Sequence, residues 1–225
     1  MKIRLSNILA AALLAGASAL PFQASAEPYS KYWEQRASLF SVLPVDSDDI
    51  IFLGNSITDG GEFFELVGNP NVKNRGISGD IIPGVRDRLR DVTKGHPAKI
   101  FLLIGINDIS HGAPVDSIAA DYAALVKDIR EQSPETKLYI QSVFPVDNKF
   151  GLYRNMIGRD HLVPVLNEKI KKIADDNGLT YIDFWPLLFD PETKALKREF
   201  TNDGLHLLGN AYVEWVNLVS PYINE

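Results

Sequence analysis

Two short runs, Ile50-Ile51-Phe52-Leu53 and Ile100-Phe101-Leu102-Leu103-Ile104, are apolar at every position, and each stops abruptly at a polar turn. A strand with one wet face alternates in polarity. A strand that is apolar throughout is covered on both faces, as in parallel sheets roofed by helices. The first run ends in Gly54-Asn55-Ser56-Ile57-Thr58-Asp59 and the second in Gly105-Ile106-Asn107-Asp108. Open parallel sheets bind ligands just beyond the carboxyl ends of their strands. Both turns therefore fall where such a fold places a site.

The remaining chain keeps the same rhythm. Val72–Arg75, Lys137–Val143 and Thr180–Phe184 read as three more strands. Helical spacing runs through residues 81–92 (Ile82, Val85, Leu89, Val92) and from Pro114 to about Gln132 (Ile118, Tyr122, Leu125, Ile129). It recurs over Leu162–Ala174, stopped by Asn177-Gly178, and from about Leu208 to Ile223, with Tyr212, Trp215, Val216 and Val219 inward. Glu62–Val67 reads as a short helix with Phe63, Phe64 and Leu66 inward. Tyr29–Leu43 reads as an amphipathic brace presenting Tyr32, Trp33, Ala37, Leu39, Phe40 and Leu43. Residues 144–157 form a long irregular insertion, a kind of loop that is usually functional or mobile. Residues 185–200 are a variable segment. Five β-α units with right-handed crossovers predict an α/β domain with a five-stranded parallel sheet and helices on both faces.

The first residues follow a different logic. Lys2 and Arg4 precede an apolar run from Ile8 to Leu20, and Ala24-Ser25-Ala26 makes a small-x-small cleavage site. This is the layout of a secretory leader over residues 1–26, with a single domain over 27–225 exported to the periplasm or beyond. The run is short for a membrane span, and no later segment is long and apolar enough, so no stable membrane insertion is expected. Without Lys2 and Arg4 the chain carries 21 basic residues against 29 acidic ones, a net charge of −8. That balance argues against nucleic acid, which demands a basic face. The chain has no cysteine, so disulfides, a thiol nucleophile and thiolate metal sites are all excluded.

Polar clusters follow three strands, at Ser56, Gly79 and Asn107, and a fourth, Asp203-Gly204-Leu205-His206, precedes the last helix. Acyl transfer requires a nucleophile, a base, a group that orients the base, and donors for an oxyanion. Ser56 suits the first role, His206 the second and Asp203 the third, with the last two close enough in sequence to share one turn. Ser56 N–H, Gly79 N–H and the Asn107 side-chain amide suit the last role. Each piece also has a plainer use: Asn55 and Ser56 as turn or helix caps, Asp203 as a cap, Gly79 as a turn glycine. A constellation of Asp59, Asp80, Asp108, Asp203 and His206 is also compatible with metal-dependent hydrolysis.

Gly54-Asn55-Ser56-Ile57, Gly79 after Ile77-Ser78, Gly105-Ile106-Asn107-Asp108 and Asp203-Gly204-Leu205-His206 resemble, in order, the four blocks of the SGNH (GDSL-type) hydrolase superfamily. The likeness extends to small secreted bacterial acylhydrolases akin to the catalytic subunits of platelet-activating-factor acetylhydrolase. It implies a flavodoxin-like three-layer α/β/α sandwich and ester hydrolysis without metal or other cofactor. It also implies Ser56, Asp203 and His206 as catalytic residues and Ser56, Gly79 and Asn107 as the oxyanion hole. Asn55 stands where the GDSL name has Asp, which is expected to tune activity rather than abolish it. Asn55, Arg75, Asp80, Asp108 and His111, together with Asn74, are candidate substrate contacts at the mouth. A leader and a polar rim favour short acyl groups, acetyl above all, on a small molecule or carbohydrate. The alternatives are a lysophospholipase- or thioesterase-type acylhydrolase and a carbohydrate-binding protein that has kept the fold without turnover. The oligomeric state is left open by the sequence.

Overall fold

A computed structural model describes residues 29–225; the expected leader over 1–26 lies outside them. The chain runs through α1 (Lys31–Val42), β1 (Ile50–Gly54), α2 (Ser56–Asp59), α3 (Phe63–Val67) and β2 (Val72–Gly76). It continues with α4 (Ile82–Asp87), α5 (Leu89–Thr93), β3 (Lys99–Leu103), α6 (Ile106–Ser110), α7 (Val115–Gln132) and β4 (Lys137–Gln141). The last part contains α8 (Leu162–Asp176), β5 (Thr180–Ile182), α9 (Trp185–Leu188), the small strands β6 (Phe189–Asp190) and β7 (Ala195–Leu196), and α10 (Gly209–Asn224). The five main strands form one sheet in the order β2-β1-β3-β4-β5, every pair parallel, as the unbroken apolar runs predict.

Strand alternation divides the core into two layers. On one face Phe52, Phe101 and Tyr139 lie in register across β1, β3 and β4, with centroids 5.0 and 4.6 Å apart. Phe63 stacks on Phe52 at 4.0 Å, and Trp215 of α10 packs edge-on against Phe52, Phe63, Phe144 and Phe184. The opposite face buries Ile51, Leu53, Ile100, Leu102 and Ile140. No helix among the described residues is long and apolar enough to cross a membrane.

Several expectations change in detail, each for a physical reason. The helix expected over 81–92 is two helices, because Arg88 leaves helical geometry (φ −102°, ψ 8°) and sends its side chain inward to Asp80. In α3 Phe63 is buried and Val67, one turn on, packs partly against the core, while Phe64 and Leu66 are exposed, since a five-residue helix has only one side to bury. Helix α1 does brace the domain, but mainly through polar contacts. Phe40 is its one buried residue, while Tyr29 Oη, Tyr32 Oη and Trp33 Nε1 donate to Asp87, Asp59 and Asp80. The segment 185–200 is ordered around the antiparallel β6–β7 pair, and the insertion at 144–157 holds only two turns of 3₁₀ helix.

Candidate active site

Strand β1 must end in glycine. A Cβ on Gly54 would collide with the Leu103 carbonyl oxygen of the neighbouring strand and with the Thr58 hydroxyl. The close approach lets the chain turn directly into α2. Asn55, fully buried, caps that helix, its Oδ1 accepting the Ile57 N–H at 3.1 Å. Ser56 is the first helical residue, so its N–H has no partner within the helix. Its Oγ lies 2.9 Å from His206 Nε2.

His206 and Asp203 come from the single turn that precedes α10. Asp203 Oδ2 is 2.8 Å from His206 Nδ1, and Oδ1 accepts the backbone N–H groups of Leu205 and His206, both at 2.8 Å. Tyr153 Oη adds a donor to Oδ2 at 2.7 Å. Burial works against the Asp203 charge, but hydrogen bonds from His206, Leu205 and Tyr153 outweigh it and hold the carboxyl down at about 2. An ionised Asp203 takes the Nδ1–H, which turns the Nε2 lone pair toward the Ser56 hydroxyl; this tautomer is assigned from its partners.

Two further donors border the same space. Gly79 has φ +82°, a region L side chains rarely adopt, and among the described residues its N–H has no protein acceptor. Asn107 opens α6 beyond β3; one hydrogen of its Nδ2 goes to the Asp80 carbonyl at 2.8 Å, leaving the other. Ser56, Gly79, Asn107 and His206 line one open cavity of about 530 Å³ with Ser78, Ile106, Ser110 and Leu205. Leu152, Tyr153, Arg154, Asn155 and Met156, all from the irregular insertion, supply the remaining wall.

The other candidate contacts do not reach this cavity. Arg75 is buried against α1, its guanidinium 5.1 Å from the Phe40 ring and donating to the Asn74 carbonyl. Asp80 is buried in its ion pair with Arg88. Asp108 accepts the Ile82 N–H at 3.1 Å, and burial pushes its carboxyl up to about 6. Asn74 holds α2 in place, donating to the Thr58 and Gly61 carbonyls, both at 2.7 Å. His111 is exposed at the end of α6, away from the cavity lining. Arg75, Asp80 and Asp108 are buried beside the site rather than placed in its mouth. Together with Asn74, they engage their polar side chains in contacts that hold the segments around Ser56, Gly79 and Asn107.

Asp59 belongs to the same group: its Oδ2 accepts the Ser78 N–H at 3.1 Å, the Ser78 Oγ at 2.7 Å and Tyr32 Oη at 2.8 Å. Among the described residues no three His, Cys, Asp or Glu side chains converge to hold a metal ion. Of the five residues Asp59, Asp80, Asp108, Asp203 and His206, the last two pair with each other, while the first three are engaged with Ser78, Arg88 and the Ile82 N–H. Tyr153 is the functional neighbour that sequence reasoning missed, its signal being only an aromatic in a long irregular loop.

A parallel three-layer α/β/α domain that gathers serine, glycine, asparagine and an Asp-His turn at its strand ends is the architecture of SGNH-type ester hydrolases. The GDSL-like Lipase/Acylhydrolase family model matches residues 52–212, and the chain belongs to that family, whose members are hydrolases of ester bonds. Among curated proteins, none matches the sequence. Among solved structures, a candidate platelet activating factor protein from Streptococcus pneumonia is 26% identical with a TM-score of 0.76, covering 86% of this chain and 91% of its own. A GDSL-like lipase from Bacteroides thetaiotaomicron VPI-5482 is 24% identical, with a TM-score of 0.74 and coverage of 85% and 97%. An acetyl xylan esterase is 22% identical, with a TM-score of 0.63 and coverage of 77% and 98%. The last two share the fold with this chain.

Proposed function

We propose that this ester hydrolase is an exported serine esterase that removes short acyl groups, acetyl above all, from small-molecule or carbohydrate alcohols. The observation that carries the mechanism is the unbroken contact from Ser56 Oγ to His206 Nε2 (2.9 Å) and from His206 Nδ1 to Asp203 Oδ2 (2.8 Å). Ser56 Oγ attacks the ester carbonyl carbon while His206 Nε2 takes its proton. The carbonyl oxygen becomes an oxyanion bound by Ser56 N–H, Gly79 N–H and Asn107 Nδ2. Collapse expels the alcohol, which receives the proton from His206, and leaves an acyl-serine. Water, deprotonated by His206, then attacks that acyl group and releases the acid and free Ser56. Asp203 stays ionised throughout and stabilises the imidazolium.

The cavity supports a small substrate. A volume of about 530 Å³ shared between acyl and alcohol portions suits one small acylated unit. Beside the apolar walls of Ile106, Leu152, Met156 and Leu205, the polar residues Ser78, Asn107, Ser110, Arg154 and Asn155 border the cavity and suit a hydroxylated alcohol, and the structural likeness to an acetyl xylan esterase supports the same reading. The test is a panel of p-nitrophenyl acetate, butyrate and octanoate with an acetylated xylo-oligosaccharide, a lysophospholipid and an acyl thioester. We expect kcat/KM to fall at least about tenfold from acetyl to octanoyl, the scale of a few misplaced methylenes. Preference for octanoate or the lysophospholipid would refute the short-acyl assignment. Export rests on Lys2, Arg4, the Ile8–Leu20 run and Ala24-Ser25-Ala26. The secreted or periplasmic protein should begin at Glu27 on N-terminal sequencing, and an intact Met1 in that fraction would count against it.

A further inference from the structure

Tyr153 Oη sits 2.7 Å from Asp203 Oδ2 and 2.8 Å from His206 Nδ1, two atoms themselves 2.8 Å apart. Three polar groups thus close a triangle on the side of the imidazole away from Ser56. A phenol has one proton, and beside a carboxylate it donates that proton to Oδ2; its lone pairs then face the Nδ1–H. The Tyr153 ring meets the imidazole edge-on, centroids 5.4 Å apart and planes at 72°. Asp203 is then fully engaged: two backbone N–H groups on Oδ1, Tyr153 and His206 on Oδ2.

The loop behind Tyr153 is fastened on several sides. Asp147 N–H donates to the Gly204 carbonyl at 2.8 Å, within the turn that bears Asp203 and His206. Asn148 Nδ2 donates to the Met156 carbonyl at 2.9 Å, and the Met156 N–H to the Tyr153 carbonyl at 2.8 Å. Arg159 reaches the Ile109 carbonyl at 3.2 Å, next to the segment of Asn107. Leu152, Arg154 and Asn155, the neighbours of Tyr153, line the substrate cavity.

We propose that Tyr153 is a positioning residue of this site: its hydroxyl fixes the Asp203 carboxylate and the imidazole plane of His206, tying the cavity wall to the proton-transfer chain. The proposal rests on the serine-esterase reading above. Loss of the hydroxyl leaves Oδ2 with one donor fewer and lets the imidazole swing, so the damage falls on turnover rather than on substrate binding.

The test is a double-mutant cycle on p-nitrophenyl acetate with Tyr153→Phe, Asp203→Asn and the pair, beside Ser56→Ala. Tyr153→Phe should lower kcat about ten- to a hundredfold, the usual weight of a hydrogen bond to a charged group, with KM within about twofold. In the Asp203→Asn background the same change should cost less than about twofold, because the group through which Tyr153 acts is already neutral. The low-field proton resonance of His206 Nδ1–H should also move in Tyr153→Phe. Should that variant fold poorly, 3-fluorotyrosine at 153 keeps the packing with a stronger donor and should move the resonance as well. Wild-type kcat in Tyr153→Phe, a change in KM alone, multiplicative losses in the pair, or an unmoved resonance would each overturn the proposal. Were Ser56→Ala inert and Tyr153→Phe fully active, this inference alone would fail. Were Ser56→Ala fully active, the esterase mechanism and this inference would fall together.

Discussion

Ser56→Ala should lower kcat for p-nitrophenyl acetate by about 10⁴- to 10⁶-fold, and His206→Ala by a similar factor. The expectation comes from geometry. Ser56 Oγ is 2.9 Å from His206 Nε2, the only base in contact with it among the described residues, and no other serine of the cavity lining is paired with an imidazole. Ser78 and Ser110 also border the cavity, but Ser78 Oγ donates to Asp59 and Ser110 Oγ to the Asn107 carbonyl, so neither faces an imidazole. Because serine and histidine act as one unit, Ser56→Ala/His206→Ala should be scarcely slower than either single variant. Residual turnover above water would report the Gly79 and Asn107 donors. Losses that multiply in the double variant would mean that the two residues act in separate steps, and the single-chain mechanism would be abandoned.

Much of this was legible before any coordinates. The parallel sheet covered on both faces follows from runs such as Ile50–Leu53 and Ile100–Ile104, which have no face to show to water, whereas the strand order is set by the packed structure. The meeting of Ser56, Asp203 and His206 follows from the topology, since strand-end turns in a parallel sheet share one edge. Side-chain commitments were less legible. Arg75, Asp80 and Asp108 are charged residues next to functional blocks, and a polar residue beside a site reads naturally as a substrate contact. Each instead satisfies a buried demand that only the packed structure reveals: the Phe40 ring, the Arg88 guanidinium, the Ile82 N–H. Tyr153 was hidden for the opposite reason. A loop without periodicity carries no sequence signal for where one hydroxyl lands, and that position is set by contacts such as Asp147 N–H to Gly204.

Arg88→Met should be the most destabilising single change near the site. Arg88 Nε and Asp80 Oδ2 are 2.9 Å apart, and their side chains are only 2% and 0% exposed. Arg88 also donates from Nη2 to the Gly54 carbonyl at 3.1 Å, the strand end just before Ser56. Asp80 accepts from Trp33 Nε1 at 2.9 Å, and its own carbonyl accepts from Asn107 Nδ2 at 2.8 Å. One ion pair therefore joins the nucleophile strand, the Gly79 loop, Asn107 and the α1 brace. Removing one partner of a buried pair costs about 3–5 kcal/mol, because the other charge is left without compensation. At about 2–4 °C per kcal/mol for a chain of this size, the melting temperature should drop by roughly 10 °C. Burial already raises the Asp80 carboxyl above its ordinary range, with Arg88 opposing it. Without Arg88 that rise grows, so Asp80 in the folded variant holds its proton to higher pH than in the unfolded chain. The stability of Arg88→Met should accordingly be greatest in acid and decline as pH rises through the folded-state value. Replacing both partners, as Arg88→Met/Asp80→Leu, removes the orphaned charge and should restore most of the melting temperature. It should not restore full hydrolysis: Trp33 Nε1 still lacks its partner, and the Gly54 carbonyl keeps only the Ile77 N–H at 3.1 Å, so the strand end is held less firmly beside the Gly79 loop. A double variant that regains both stability and wild-type kcat would reduce the pair to a packing element. One that regains stability alone would show that buried charge here orders the oxyanion donors rather than the fold.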